Sequence, residues 1–160
     1  MVSISVSLAE IKFSRNQEDI IIVHGLGSCI GVVIYDYANK LGGMAHVVLP
    51  DSSIQPNSPT PGRFADTAIP VLMDQFKLLG GNLMNSFVKI AGGSNMFKYD
   101  RLATLDIGRR NTESVIDALK KYNIVPLNKD VGGTSGRTVK LHIATGKIYS
   151  RMIGMQEKEL

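Results

Sequence analysis

Cysteine is almost absent from this sequence: Cys29 is the only one among 160 residues, and tryptophan is missing altogether. One cysteine cannot form an internal disulfide, and it offers no pair of ligands for a zinc site. The three histidines are dispersed along the chain at His24, His46 and His142. The start of the chain also lacks the basic segment followed by an apolar one that is typical of a signal peptide. These absences predict a protein of the reducing cytoplasm without a metal site.

Long apolar runs and concentrated charge are missing as well. No run reaches the roughly 18 apolar residues that a membrane-spanning helix needs, so membrane insertion is not predicted. The net charge is only +4, and Arg109-Arg110 and Lys120-Lys121 are the only adjacent basic pairs. Basic residues do not alternate with aromatic ones, which argues against nucleic-acid binding. The mild positive charge is compatible with attraction to an acidic protein surface.

The sequence does contain enough apolar residues, in short periodic segments, to form a core. The composition, with 44% hydrophobic and 20% charged residues, and the length predict one domain covering residues 1–160. Four segments in its first third have the pattern of strands. These are VSISVSL at 2–8, DIIIVHG at 19–25, CIGVVIYD at 29–36 and MAHVVLP at 44–50. The last two predict a hairpin whose loop lies near residues 37–42.

The rest of the chain predicts two helices. RFADTAIPVLMDQFKLLGG, at 63–81, places apolar residues on one helical face, with Pro70 inside the pattern. That face comprises Ala65, Ile69, Leu72, Met73, Phe76 and Leu79. NTESVIDALKKYN, at 111–123, predicts a second helix with Asn111 or Thr112 as its N-cap.

Further strands and irregular segments complete the expected fold. The strands are SFVKIAGG at 86–93, IVPLNKDVGG at 124–133, RTVKLHIATG at 137–146 and KIYSRMI at 147–153. A Ser-, Pro- and Gly-rich loop is predicted at 51–62, and a polar tail at about 155–160. Because strands outnumber helices and hairpins favour antiparallel pairing, we predict an α+β fold. It is a single domain with a mixed, largely antiparallel sheet, or a pair of sheets, and helices packed outside.

Cys29 lies in HGLGSCIG, residues 24–31, where glycines surround it on both sides. A cysteine hydrolase needs an accessible thiol, a base to deprotonate it, and donors for the oxyanion that forms. Glycines at a turn between strands allow unusual backbone angles and bring a substrate close to backbone N–H groups, here those of Gly27, Ser28 and Cys29. The alternative is structural, because a lone cysteine is more often a small buried hydrophobic residue.

His46 is the candidate base. It follows Cys29 by 17 positions, on the neighbouring strand of the predicted hairpin. If the two residues lie nearly opposite each other, their side chains are close enough to form a thiolate–imidazolium pair. The alternative is a core histidine that bonds a backbone carbonyl. His24 is near the site in sequence, whereas His142, far along in an alternating strand, is more typical of a structural residue.

Two further glycine clusters, AGGSNMF at 91–97 and DVGGTSGRT at 130–138, have the composition of phosphate-binding loops. Neither has the pattern of a P-loop, since no suitably placed Lys-Ser/Thr pair follows. They fit better as turns that line a shared pocket. Tight hairpin turns without a binding role are the alternative.

Six blocks of the chain, in order, resemble one known family. They are GLGSCIGVVIYD, GGMAHVVLPDS, RFADTAIPVLMD, KIAGGSNMF, DIGRRN and DVGGTSGRTV. The family is that of the chemoreceptor glutamine deamidases, CheD, of bacterial and archaeal chemotaxis. The resemblance implies a layered α/β sandwich related to bacterial toxin deamidases. It also implies hydrolysis of receptor glutamines to glutamate with release of ammonia, and glutamyl methylesterase activity in some members.

The resemblance places the family's nucleophile on Cys29 and its histidine on His46, and it implies no metal or organic cofactor. The implied partners are the cytoplasmic helices of methyl-accepting chemotaxis receptors and a CheC-type phosphatase. One position departs from the family pattern: the threonine six residues before the cysteine, the third member of the triad, is Val23 here. Valine has no hydroxyl to bond the imidazole, so another group is needed to orient His46.

Two other hypotheses remain open at this point. The Val23 departure fits a weakly active or non-catalytic protein that binds receptors or the phosphatase and regulates them. A cytoplasmic α+β protein with a core cysteine is the blander alternative. The intact pair of Cys29 and His46 favours the amidohydrolase over both.

Overall fold

The computed structural model describes residues 1–96 and 105–160, so Phe97, the last residue of the AGGSNMF cluster, lies outside the described residues. Across these ranges the chain forms ten strands and two α-helices. The strands are β1 (Val2–Ser5), β2 (Ile11–Ser14), β3 (Asp19–Leu26), β4 (Ile30–Asp36), β5 (Leu41–Val47), β6 (Ser86–Gly92), β7 (Asn128–Val131), β8 (Arg137–His142), β9 (Ile148–Met152) and β10 (Lys158–Glu159). The helices are α1 (Ala65–Leu78) and α2 (Ile107–Lys120).

The strands form two five-stranded sheets, ordered β1-β3-β8-β9-β10 and β2-β5-β4-β6-β7. The pairs β1–β3 and β6–β7 are parallel. The other strand pairs of the described residues are antiparallel. The predicted α+β class, with mixed and largely antiparallel pairing, is therefore confirmed, in its version with a pair of sheets.

Two apolar layers hold the sheets and helices together. One lies between the sheets and includes Ile21, Val33, Met44 and Leu141. The other lies between the second sheet and the two helices and includes Val32, Ile34, Ala45, Leu72, Phe76 and Val115. Alternate residues of β4 contribute to opposite layers, so this strand is buried on both faces. Its uninterrupted apolar sequence follows from that position.

Helix α1 follows the predicted face closely. Ala65, Ile69, Leu72, Met73 and Phe76 are all buried, and the helix continues through Pro70. Leu79 was expected on the same face but is the C-cap residue and is 40% exposed. The chain leaves helical geometry there, because Gly80 follows with a φ of +88°, so Leu79 no longer lies on the buried stripe.

Helix α2 begins earlier than predicted, and the N-cap prediction of Asn111 or Thr112 is wrong. Asp106 is the N-cap, and its carboxylate accepts a hydrogen bond from the Arg109 N–H at 3.1 Å. Asn111 lies inside the helix and is completely buried. Capping was assigned to the wrong residue because asparagine favours caps in sequence, whereas here its amide is used in tertiary contacts.

The segment predicted as a polar tail also forms regular structure at its end. Lys158 and Glu159 pair with Ser150 and Tyr149 of β9, and the Leu160 N–H donates to the Ile148 carbonyl at 2.8 Å. Polarity alone did not indicate this strand because edge strands of a sheet commonly carry charged side chains. Neither of the two helices described is long and apolar enough to cross a membrane.

Candidate active site

Cys29 lies in a three-residue turn, 27–29, between the end of β3 and the start of β4. All three carbonyls of this turn accept hydrogen bonds from the protein interior. The donors, in chain order, are the Ser94 N–H, the Asn111 side-chain amide and the Gly93 N–H, each at 2.9 Å. The turn is thus held along its whole length by the segment after β6 and by α2.

The bonded carbonyls determine where the N–H groups of the turn point. In a planar trans peptide, the carbonyl and the following N–H point in opposite directions. The N–H groups of Ser28 and Cys29 therefore point away from the interior partners. No other described residue accepts a hydrogen bond from the N–H of Gly27, Ser28 or Cys29. The turn therefore presents donors beside the thiol.

His46 lies on β5, which forms the predicted hairpin with β4, but the expected register is wrong by two positions. His46 pairs with Gly31, and Ile30 pairs with Val47. Cys29 is therefore a diagonal neighbour of His46 and not its direct partner. Direct pairing of residues 29 and 46 requires a turn centred between residues 37 and 38. The observed turn spans residues 37–40 and is centred one position later, where the Asp36 carboxylate accepts the N–H groups of Ala38 and Asn39 at 2.9 Å.

Cys29 and His46 nevertheless line one cavity of about 320 Å³. The other lining residues are Ser5, Val6, Ser7, Leu8, Ile22, His24 and Gly25. His24 is exposed and lies on the same face of β3 as Ile22, which also lines this cavity. His142 lies elsewhere, on β8, with its ring 5.2 Å from that of Tyr149.

A backbone carbonyl orients the His46 ring. Nδ1 of His46 lies 3.1 Å from the carbonyl oxygen of Val6, and since a carbonyl can only accept, Nδ1 carries the proton. The Ala9 N–H donates to the His46 carbonyl at 2.9 Å, and the His46 N–H donates to the Glu10 carbonyl at 3.0 Å. Nε2 is buried and has no hydrogen-bond partner among the described residues. The ring thus keeps an unprotonated nitrogen available as a base.

Burial keeps both groups neutral. It lowers the pKa of His46 below its ordinary value, against the smaller opposing effects of the Val6 carbonyl and the Glu10 carboxylate. It raises the pKa of the Cys29 thiol, against a smaller opposing effect of the residue's own N–H. At neutral pH both shifts favour the uncharged forms, a thiol and a neutral imidazole.

Val23 belongs to the core between the sheets and is 1% exposed. It pairs with Val139 across the sheet and packs among Leu26, Val33 and Met44. The Val6 carbonyl already provides the hydrogen bond to the imidazole that the missing hydroxyl would otherwise supply. The departure at Val23 therefore does not leave His46 without an orienting group.

We expect Val23→Thr to leave kcat within about twofold of the native value, because the Val6 carbonyl already bonds Nδ1. The added hydroxyl lies in an apolar layer and should lower the free energy of unfolding by about 1–3 kcal/mol. Ammonia release and urea denaturation measure the two effects. A tenfold rise in kcat would contradict this account and would mean that the native site lacks an orienting group.

The two glycine clusters do not line the cavity that holds Cys29. Gly93 and Ser94 of the first cluster donate hydrogen bonds to the turn 27–29, and the second cluster bonds the first. The Ser94 hydroxyl donates to the Ser135 carbonyl at 2.6 Å, and the Gly132 N–H donates to the Gly92 carbonyl at 3.0 Å. Gly93, Gly132 and Gly133 line a separate cavity of about 220 Å³ at the start of α2. The two clusters thus line one shared cavity, as predicted, and that cavity is separate from the one that holds Cys29.

Sequence reasoning missed two groups of the site. The first is the Val6 carbonyl, for which no signal exists, because every residue carries a carbonyl. The second is Asn111, which falls in the block DIGRRN but was interpreted as a helix cap. Only the packing of α2 against the turn reveals that its amide faces Ser28.

Comparison with known proteins adds a sequence relationship over nearly the whole chain. The family model described as CheD chemotactic sensory transduction matches residues 48–152. A protein of Clostridium botulinum strain Hall named "Probable chemoreceptor glutamine deamidase CheD" is 40% identical over 98% of this chain and 97% of its own length. A protein of the same name from Clostridium acetobutylicum is 44% identical over 95% of this chain and 92% of its own length.

A solved structure is similar in fold alone. The crystal structure of the Bacillus licheniformis hypothetical protein YfiH superposes with a TM-score of 0.52 at 12% identity. The match covers 78% of this chain and 51% of that protein. It supports the layered arrangement of sheets and helices and carries no statement about activity.

Proposed function

Since this chain belongs to the CheD family, we propose that it hydrolyses side-chain amides of chemoreceptor glutamines to glutamate, with Cys29 as nucleophile and His46 as base. The curated relatives named as chemoreceptor glutamine deamidases support the reaction and the substrate class. One observation supports the residue roles most directly. Cys29 shares a cavity with a histidine whose Nδ1 bonds a carbonyl and whose Nε2 has no partner in the part of the chain that the structure describes.

The first half of the proposed reaction forms a thioester. As the glutamine enters, Nε2 of His46 takes the proton of the Cys29 thiol, and the sulfur attacks the side-chain carbonyl carbon. The negative charge moves to the carbonyl oxygen, where the N–H groups of Ser28 and Cys29, with that of Gly27, donate to it. The imidazolium then gives its proton to the amide nitrogen, the carbon–nitrogen bond breaks, and ammonia leaves.

The second half restores the enzyme. Water enters the place of ammonia, His46 takes one of its protons, and the resulting hydroxide attacks the thioester carbon. The carbon–sulfur bond breaks, the imidazolium returns the proton to sulfur, and glutamate is released. The overall balance is glutamine plus water giving glutamate plus ammonia, and no step requires a metal or organic cofactor.

Related chemistry and partners follow from the same premise. A glutamyl methyl ester presents the same carbonyl with methanol as its leaving group, so methylesterase activity is part of the proposal. Substrate glutamines on the cytoplasmic helices of chemoreceptors imply a cytoplasmic enzyme. A CheC-type phosphatase partner stays a prediction.

Mass spectrometry of chemoreceptors co-expressed with and without this protein tests the function. Replacement of an amide NH₂ by OH raises the mass of a peptide by about one dalton, the net outcome of the hydrolysis proposed. We expect this increase at specific glutamines only when the protein is present, together with ammonia release by the purified components. Identical receptor peptides in both samples would refute the proposed function.

A further inference from the structure

Asn111 is a buried polar residue with an unusual set of bonds. Its side-chain amide nitrogen donates to the carbonyls of both Ser28 and Val48, each at 2.9 Å. Its own oxygen, Oδ1, is buried and has no partner among the described residues. Burial of an unpaired amide oxygen is unfavourable. The two hydrogen bonds that its amide nitrogen donates, to Ser28 and Val48, are therefore the contacts that explain an asparagine at this position.

The two carbonyls that Asn111 holds lie where the hairpin of β4 and β5 opens. The regular pairing ends at Ile30 and Val47, so Ser28 and Val48 lie just beyond it. Two carbonyls cannot bond each other, and the carboxamide supplies a donor to each. It thereby ties the strand end that carries Cys29 to the strand that carries His46.

The helix that carries Asn111 is itself firmly seated. A Cβ atom at Gly108 would lie 2.3 Å from the Gly93 carbonyl oxygen, so only glycine permits this approach of α2. The approach places Asn111 beside the segment whose N–H groups bond Gly27 and Cys29. Asn111 thus donates to the middle carbonyl of the turn 27–29, and the carbonyls on either side of it accept from backbone N–H groups.

We propose that Asn111 is a positioning residue that fixes the Ser28–Cys29 peptide so that the Cys29 N–H faces the oxyanion of the substrate. The Ser28 carbonyl and the Cys29 N–H belong to one planar peptide, so holding the carbonyl inward turns the N–H outward. The inference rests on the proposed function for its role in catalysis. Its structural half, the fixed peptide, can be tested independently of activity.

Asn111→Ala and the milder Asn111→Ser test the role in catalysis, once thermal unfolding has established that each variant is folded. We expect Asn111→Ala to lower kcat on the order of 10²-fold, with KM within about threefold, because an oxyanion donor acts mainly in the transition state. Alkylation of Cys29 by iodoacetamide develops no oxyanion, so its rate should stay within about twofold of the native rate. Thr112→Val is the matched control. It removes the bond from the Thr112 hydroxyl to the Gly108 carbonyl in the same helical turn, and kcat should not change.

The ¹⁵N relaxation of the Ser28 and Cys29 amides tests the fixed peptide directly. We expect their order parameters to fall in Asn111→Ala and to be unchanged in Thr112→Val. Unchanged order parameters in a folded Asn111 variant would overturn the inference, and so would equal losses of deamidation and alkylation. If the native protein releases no ammonia, the proposed function fails, and the relaxation data alone still decide the structural half.

Discussion

Replacement of Cys29 by alanine should abolish glutamine deamidation, with a loss in kcat of at least about 10³-fold. The thiol is the only cysteine sulfur in the chain, and it lines the same cavity as His46. Release of ammonia from purified receptor measures the effect. Thermal unfolding of the variant should stay close to native, since Cys29 is only partly buried.

Cys29→Ser is the matched variant for this experiment. It keeps a hydroxyl of similar size at the same position, but the alcohol is far harder to ionise, so kcat should fall nearly as far as in Cys29→Ala. Receptor binding is measured for both variants alongside ammonia release. An enzyme loses ammonia release in these variants, whereas a protein that only binds its partners has no ammonia release to lose. A folded Cys29→Ala variant with more than a tenth of native ammonia release would exclude Cys29 as the nucleophile.

The predictable part of the fold is the part with local periodicity. We identified the strand segments at 19–25 and 29–36 from their apolar runs, which are typical of strands buried on both faces. We identified the buried face of α1 from apolar residues at helical spacing. Hairpin register was not predicted, since a turn centred one position later than a direct pair of Cys29 and His46 requires shifts every pair of β4 and β5 by two positions. The start of α2 was misplaced because Asp106 and Asn111 are equally good caps in sequence.

The predictable part of the site is its reactive side chains. Cys29 and His46 were proposed because the chain has one cysteine, because the predicted hairpin brings His46 near it, and because six blocks of the chain resemble the deamidase family. The Val6 carbonyl and the bonded carbonyls of the turn 27–29 could not be predicted, because backbone groups carry no residue identity. Val23, at the position of the family's threonine, is an example. From the sequence it predicted that His46 lacks a hydrogen-bond partner, and in the fold the Val6 carbonyl is that partner.

Burial of Cys29 and His46 favours the uncharged form of both side chains, because it raises the pKa of the thiol and lowers that of the imidazole. For the proposed reaction we therefore expect the proton to stay on sulfur until a substrate is bound. A protonated thiol is less open to oxidation and alkylation than a thiolate. In that proposal, proton removal by Nε2 of His46 is a separate step that depends on pH.

His46→Asn should lower kcat by about 10²–10⁴-fold, the usual range for loss of a general base. The asparagine amide nitrogen lies near the position of Nδ1 and can still donate to the Val6 carbonyl, so the variant removes the base while retaining the bond that anchors it. His46→Ala removes both, and its further loss of thermal stability relative to His46→Asn measures that bond. Similar kcat values for native protein and folded His46→Asn would exclude His46 as the base.

The pH profile of native kcat/KM tests the same assignment without a mutation. The base acts only when neutral, so activity should fall as pH falls through the pKa of His46, which burial places below its ordinary value of about 6.5. The thiol should resist iodoacetamide at pH 7, and alkylation should accelerate only above the ordinary pKa of a cysteine, because burial raises that of Cys29. In His46→Asn the acidic limb should disappear. An acidic limb centred above pH 7 would contradict the lowered pKa of His46. Rapid alkylation at pH 6 would indicate a resting thiolate–imidazolium pair, in which Nε2 holds the proton before the substrate arrives.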